Sequence, residues 1–192
     1  MNHYYFKLYK PFGYVSQFIT NDRHAKKKKF LGELGDFPDG TMAVGRLDET
    51  SEGLLLLTTD GKFSYAITGT SSEKEYYVLV DGLITSEAIQ QLEKGVSISV
   101  EGAFYQTRPC SAKRIDTPTL PATSQRIRDD RHGPSSWISI TINEGKFRQV
   151  RKMTAVVGFP TLRLARVRIG DYTIEGMDSG SVSELKYNSA SL

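Results

Sequence analysis

Cysteine is nearly absent from the 192 residues: Cys110 stands alone, which excludes an intrachain disulfide. Histidine is scarce too, and His3, His24 and His132 show no metal-ligand spacing. No apolar run approaches the roughly 20 residues that a membrane span needs. The opening MNHYYFKLYKPFG lacks the hydrophobic core of a secretion signal. A Gly-rich phosphate loop is also missing. These absences predict a cytoplasmic protein that needs neither metal nor disulfide. At 192 residues it can bury one sizeable core, in one domain or in two lobes sharing it.

The net charge of +3 is too small to indicate a partner, but its distribution is uneven. One basic stretch runs from Arg23 to Lys29 and contains KKKK. The other, Glu144 to Arg168, holds seven cations (Lys146, Arg148, Arg151, Lys152, Arg163, Arg166, Arg168) against the single acid Glu144. Read as a surface, it is either a solvated face or a phosphate-binding stripe.

Short runs rich in Val, Ile, Tyr and Thr, separated by Gly and Asp-Gly turns, predict strands at 3–9, 75–80, 96–100, 136–142 and 161–169. Helices are predicted at 86–95 and 147–158, each closed by a glycine, Gly95 and Gly158. Phe147, Val150 and Val157 would mark the packed side of the second. In LLLLTTDG (54–61) four consecutive leucines cannot share one strand face, so that strand is covered on both sides, and Asp60-Gly61 is read as a turn. Asp116 to Ser136, with Pro118, Pro121 and Pro134, reads as a long surface loop. The expectation is an α+β fold with a mixed, mostly antiparallel sheet and flanking helices.

Asp48 sits in a polar turn with Arg46, Glu49, Thr50 and Ser51, between an apolar entry strand and the leucine strand. Such a loop on a rigid scaffold is where function concentrates. The stretch AVGRLDETSEGLLLLTTDG (43–61) closely resembles the central motif G-R-L-D-x-x-[ST]-x-G-L-L-L-L-T-x-D-G of the pseudouridine synthases, in the branch that modifies ribosomal RNA. Lys10, Pro11 and Gly13 match the family's K-P-x-G. Lys74 and Tyr76 match its K-x-Y strand motif, and Glu144, Gly145, Arg148, Gln149, Val150, Arg151, Lys152 and Met153 match E-G-x-x-R-Q-V-R-[RK]-M. Within that branch the likeness is to the E-type enzymes, which act on the large ribosomal subunit, and it runs from about residue 5 to about 186.

The resemblance implies a catalytic fold with a central active-site cleft, occupying residues 1–187 as two lobes sharing one sheet, with 188–192 as a tail. It implies a cofactor-independent isomerase that converts a specific uridine to pseudouridine in ribosomal RNA, in the 23S large-subunit molecule or its precursor particle. Asp48 would be the catalytic carboxylate, and the sequence leaves open whether it attacks sugar, attacks base or removes a proton. Tyr76 would stack on the uracil and Arg151 would keep Asp48 ionised. RNA contacts would come from Arg46, Lys10, Lys74, Arg148, Lys152, Arg163 and Arg166, with Arg46 helping to displace the target base.

Many relatives carry a small S4-like RNA-binding domain ahead of the catalytic one. Here K-P-x-G begins at residue 10, so the expectation is a monomer whose catalytic domain finds its RNA by itself, helped by the KKKK run. An RNA-binding or ribosome-assembly protein that had lost catalysis would signal this by losing Asp48, Arg151 or Tyr76, and all three are present. A lyase or glycosidase asks for a second acid, and nothing marks Glu49 or Glu52 as one.

Overall fold

The structure is a computed structural model that describes residues 3–19, 27–69 and 72–187. The expected tail and Arg23 to Lys26 of the first basic stretch lie outside the described residues. In chain order the elements are β1 (Tyr5–Lys10), β2 (Met42–Val44), β3 (Glu52–Thr58), α1 (Gly61–Thr68), β4 (Lys74–Asp81), α2 (Ser86–Lys94) and β5 (Ser97–Val100). They continue with β6 (Ala103–Gln106), β7 (Ser111–Ile115), β8 (Ser135–Ile142), α3 (Gln149–Val156), β9 (Thr161–Ile169), β10 (Tyr172–Thr173) and β11 (Val182–Glu184). The chain is α+β, as expected, and divides into two compact units: residues 1–69, 121–124 and 173–192, and residues 70–120 and 125–172.

In the first unit β3 pairs antiparallel with β1 and with β2, and β1 pairs antiparallel with β11. Leu54 to Leu57 are all fully buried, so β3 is covered on both faces as the four leucines require. Burial of each such side chain is worth about 1.5–3 kcal/mol. Leu55 and Leu57 join Leu8 and Leu31 in a core flanked by Phe6, Phe18 and Phe37. Gly53 begins this run at φ +107°, a left-handed backbone that only glycine enters freely, directly opposite Lys10.

Asp60 corrects one expectation. It does not merely turn the chain but caps α1, its carboxylate accepting from the Lys62 amide at 2.9 Å and from the Tyr5 hydroxyl at 2.9 Å. The segment GKFSYAIT has little helix propensity of its own. The cap and the burial of Phe63 are what stabilise it.

The second unit is built on antiparallel pairs of β4 with β9, β4 with β8, and β8 with β7. Val78, Val80, Ile138 and Ile140 point to one face and meet Ala88 and Leu92 of α2 and Val150 and Met153 of α3. The Thr85 hydroxyl caps α2 at the Ala88 amide (3.2 Å), and Gly95 ends it at φ +88°. A Cβ at Gly95 would stand 2.3 Å from the Thr107 carbonyl oxygen, so the hairpin of β5 and β6 leaves α2 through a point closed to any side chain. Cys110 is half-buried and donates its thiol to the Leu92 carbonyl at 3.1 Å. Burial, with the nearby charges of Glu93 and Glu144, pushes that thiol up to about 11. The expected loop from Asp116 to Ser136 is irregular up to Pro134 apart from one short 3-10 turn at Asp130–His132, and its last two residues already belong to β8. It is pinned by Gln125, which donates to the Leu162 carbonyl at 2.6 Å, and by Arg128, which pairs with Asp81 and donates to the Gly133 carbonyl. Among the described residues no helix is long and apolar enough to cross a membrane, and no group of His, Cys, Asp or Glu could hold a metal ion.

Candidate active site

Asp48 follows the buried Leu47 in the connection between β2 and β3, and Arg46 is exposed two residues earlier. The main chain fixes this loop. The Ser16 hydroxyl donates to the Leu47 carbonyl at 2.7 Å and accepts from the Leu47 amide at 3.0 Å. The Gly13 amide donates to the Glu49 carbonyl at 2.8 Å, and the Ser51 amide to the Asp48 carbonyl at 3.0 Å. The K-P-x-G turn and the Asp48 loop thus form one hydrogen-bonded body, and Gly13 reaches its position at φ +86°. Lys28 pairs with Glu49 at 2.8 Å on its surface.

Lys10 is not where the RNA-contact expectation put it. It is 0% exposed, and its ammonium donates to the Pro11 and Tyr14 carbonyls at 2.9 and 2.6 Å. A buried ammonium needs such acceptors, and here it closes the K-P-x-G turn from inside.

Tyr76 lies on β4 directly opposite Arg166 of β9 and Ile140 of β8, with a β-bulge between Glu75 and Tyr76. Its ring packs at the border of the core that Val150 and Met153 enter from α3. Lys74 shares its face, two residues away. Burial and the positive charge of Arg166 together hold the Lys74 ammonium below its usual pKa. One amine, one guanidinium and one phenol therefore line this side of the sheet.

The basic stretch from Glu144 to Arg168 is not one continuous stripe. Arg166 is only 5% exposed, which corrects its assignment to a surface phosphate contact. Arg168 is bound to Glu73 and Glu75, each at 3.1 Å. Arg163, half-buried, stands opposite Leu79 and so on the other face from Tyr76 and Arg166. On the connection into α3 and on α3 itself, Lys146 is exposed and Arg148, Arg151 and Lys152 are partly exposed.

That connection is organised by Glu144, 7% exposed. Its carboxylate accepts from the Tyr105 hydroxyl (2.5 Å), the Arg108 amide (2.9 Å) and the Gln149 side chain (2.6 Å). Burial alone would raise this carboxyl, but the three hydrogen bonds and the charge of Arg108 outweigh it and leave its pKa below the ordinary value. Gln149 also accepts from the Lys146 amide at 2.9 Å. Arg148, at φ +53°, then makes the left-handed step that starts α3. Helix α3 begins at Gln149 and not at Phe147, so Phe147 is off the helical phase. It is 66% exposed where packing was expected, while Val150 is buried and Val157 packs against the core. Glu144 and Gln149 carry structural roles that only their motif positions hinted at.

The chain from residue 4 to residue 156 matches the family described as RNA pseudouridylate synthase. It belongs to that family. The match takes in Asp48, Tyr76, Glu144 and Arg151 and residues of both units. A ribosomal large subunit pseudouridine synthase E of Xanthomonas axonopodis pv. citri (strain 306) is 42% identical over 173 residues, covering 88% of this chain and 87% of that protein. The protein of the same name from Vibrio parahaemolyticus is 38% identical, covering 92% and 71%. Identity falls to 34% against a ribosomal small subunit pseudouridine synthase A of Escherichia coli (strain K12), with 89% and 65% covered. A crystal structure described as pseudouridylate synthase superposes with a TM-score of 0.74 at 27% identity, covering 96% of this chain and 71% of that one. This pseudouridylate synthase chain is an isomerase of the same fold.

Proposed function

We propose that this chain converts one specific uridine of large-subunit ribosomal RNA to pseudouridine, with Asp48 as the catalytic carboxylate. The observation that carries the reading is the Asp48 loop itself, held by the K-P-x-G turn through main-chain hydrogen bonds in a chain 42% identical to an E-type synthase of the large ribosomal subunit. The two units act as the lobes of one catalytic domain, a reading supported by a family match that takes in residues of both. By its motif position Arg151 is assigned the role of keeping Asp48 ionised, since a carboxylate in a partly dry site needs a cation to stay charged. Tyr76 stacks on the uracil. Arg46, exposed in the same loop, helps to displace the target base, and Arg148, Lys152 and Arg163 hold phosphates. Lys10 closes the K-P-x-G turn that holds the Asp48 loop, and Lys74 keeps its assignment as an RNA contact.

In the reaction the bond from uracil N1 to ribose C1′ breaks, the base turns, and C5 bonds to C1′. The proton leaves C5 and N1 gains one, so the product is an isomer and the balance requires no hydride, phosphoryl group or redox cofactor. The enzyme works as a cytoplasmic monomer on the rRNA or its precursor particle.

Chemical mapping of pseudouridine in rRNA from cells with and without the protein tests the substrate. One large-subunit position should lose its signal, and regain it with wild type but not with Asp48→Asn. Purified Asp48→Asn should lose turnover by more than about a thousandfold while binding RNA nearly as well, because phosphate contacts supply most of the affinity. Substantial pseudouridine formation by the Asn variant would remove Asp48 from its role.

A further inference from the structure

Phe147 has no place in the reaction just described, and it does not serve the core. It projects from the connection before α3 at 66% exposure, with the Lys152 ammonium over its ring, 5.3 Å from the centroid. Beside it in the chain, Lys146 lays its ammonium over the Tyr105 ring at 4.7 Å. Two ammonium–ring pairs therefore meet at this connection, with Lys146, Phe147 and Lys152 on the segment itself and Tyr105 reaching it from β6.

The segment is rigid. Tyr105 and Gln149 are both tied to the buried Glu144 carboxylate, Gln149 closes back on the Lys146 amide, and Arg148 adopts its left-handed step immediately after Phe147. A side chain on such a support is held out at low entropic cost, which is what a contact residue needs. The sequence also fixes the sign of the partner. From Gly145 to Gly170 there is no Asp or Glu, and Glu144 is consumed by its own hydrogen bonds. Along this stretch of chain the sequence offers cations and aromatic rings, and Glu144 is its one acid. An apolar protein partner would leave Lys146 and Lys152 unanswered, whereas a nucleic acid answers both features at once: phosphates take the cations and a base takes the ring.

We propose that Phe147 is a stacking platform for a nucleobase of the bound RNA other than the target uridine, with Lys146 and Lys152 holding the phosphates on either side. The inference rests on the RNA reading above, and it assigns to this segment a recognition role separate from the isomerisation. Stacking on an aromatic ring tolerates any base, so the platform contributes affinity and register, not base identity.

The test is a titration of wild type and of Phe147→Ala, Phe147→Leu and Phe147→Trp with a large-subunit rRNA transcript across a salt series. The Ala and Leu variants should bind about tenfold more weakly at every salt concentration. The log–log salt slope should be unchanged, because no charge is lost. Lys152→Ala should instead flatten that slope by about one unit. Phe147→Trp should keep wild-type affinity, and its added fluorescence should be quenched by RNA beyond any change shown by the native Trp137. Melting curves check folding, and where the Ala variant melts early the Leu and Trp variants carry the comparison. Affinity of Phe147→Leu within twofold of wild type, or a Trp variant with no added quenching, overturns the proposal. Wild-type protein that binds the transcript but forms no pseudouridine in it would overturn the substrate reading instead, and the binding comparison would still decide the platform.

Discussion

The Asp48 loop and the segment from Glu144 to Lys152 are both short, polar and matched to family motifs, yet they are built in opposite ways. Main-chain groups of residues 13, 47, 48, 49 and 51 hold the first, joined by the Ser16 hydroxyl and by the Lys28–Glu49 ion pair on its surface. The second hangs on one buried carboxylate and one amide side chain, Glu144 and Gln149. The group proposed to react stands on bonds that no single substitution removes together. The groups proposed to hold a polyanion stand on a titratable support. Redundant main-chain support belongs to the first region and a single side-chain support to the second.

The sharpest way to break this comparison is Glu144→Ala. It leaves the Tyr105 hydroxyl, the Arg108 amide and the Gln149 side chain without their acceptor, and should cost about 3 kcal/mol of stability. Urea unfolding measures this, and RNA affinity should fall with it while the Asp48 loop keeps its structure. A loss under about 1 kcal/mol would mean that Glu144 is not the support. Next in size is Ser16→Ala, which removes both bonds to Leu47 but leaves those of Gly13 and Ser51. The expected cost is about 1–2 kcal/mol, with slower turnover and unaltered RNA binding; weaker RNA binding in this variant would blur the distinction between the two regions.

The smallest effect is a dependence on pH. Because the folded-state pKa of Glu144 lies below its ordinary 4.5, its ionised form stabilises the fold at pH values above that figure. The contribution is lost as pH falls through the folded pKa. Wild type should therefore lose its stability advantage over Glu144→Gln as the medium is acidified. Parallel stability curves for the two proteins down to about pH 3 would contradict this.

Much of the fold is legible in the sequence. Four consecutive leucines require a fully covered strand, β9 spans the expected 161–169, and α2 ends at the expected Gly95. Helix α1 is hidden because its residues are poor helix formers and its one signal, Asp60, also reads as a turn. Lys10 and Arg166 look like surface cations because residue type says nothing of whether carbonyls or neighbouring strands wait inside to receive a charge. Counting helical phase through Arg148 puts Phe147 on a packed face, but a positive φ at Arg148 interrupts that phase. The motif residues of the candidate site are all visible as residue types. The hydrogen bonds tying Gly13 to Glu49 and Tyr105 to Glu144 are not, since they join positions 36 and 39 residues apart.

The half-buried thiol of Cys110 has a practical consequence for studying this surface. With its pKa pushed up to about 11, the group is almost wholly the protonated thiol at neutral pH, and its proton is engaged by the Leu92 carbonyl. Alkylating reagents react with thiolates, so the native chain is close to blank towards maleimides. A cysteine introduced on the exposed connection before α3 would therefore take up a spin label or fluorophore almost alone, with no need to replace Cys110 first.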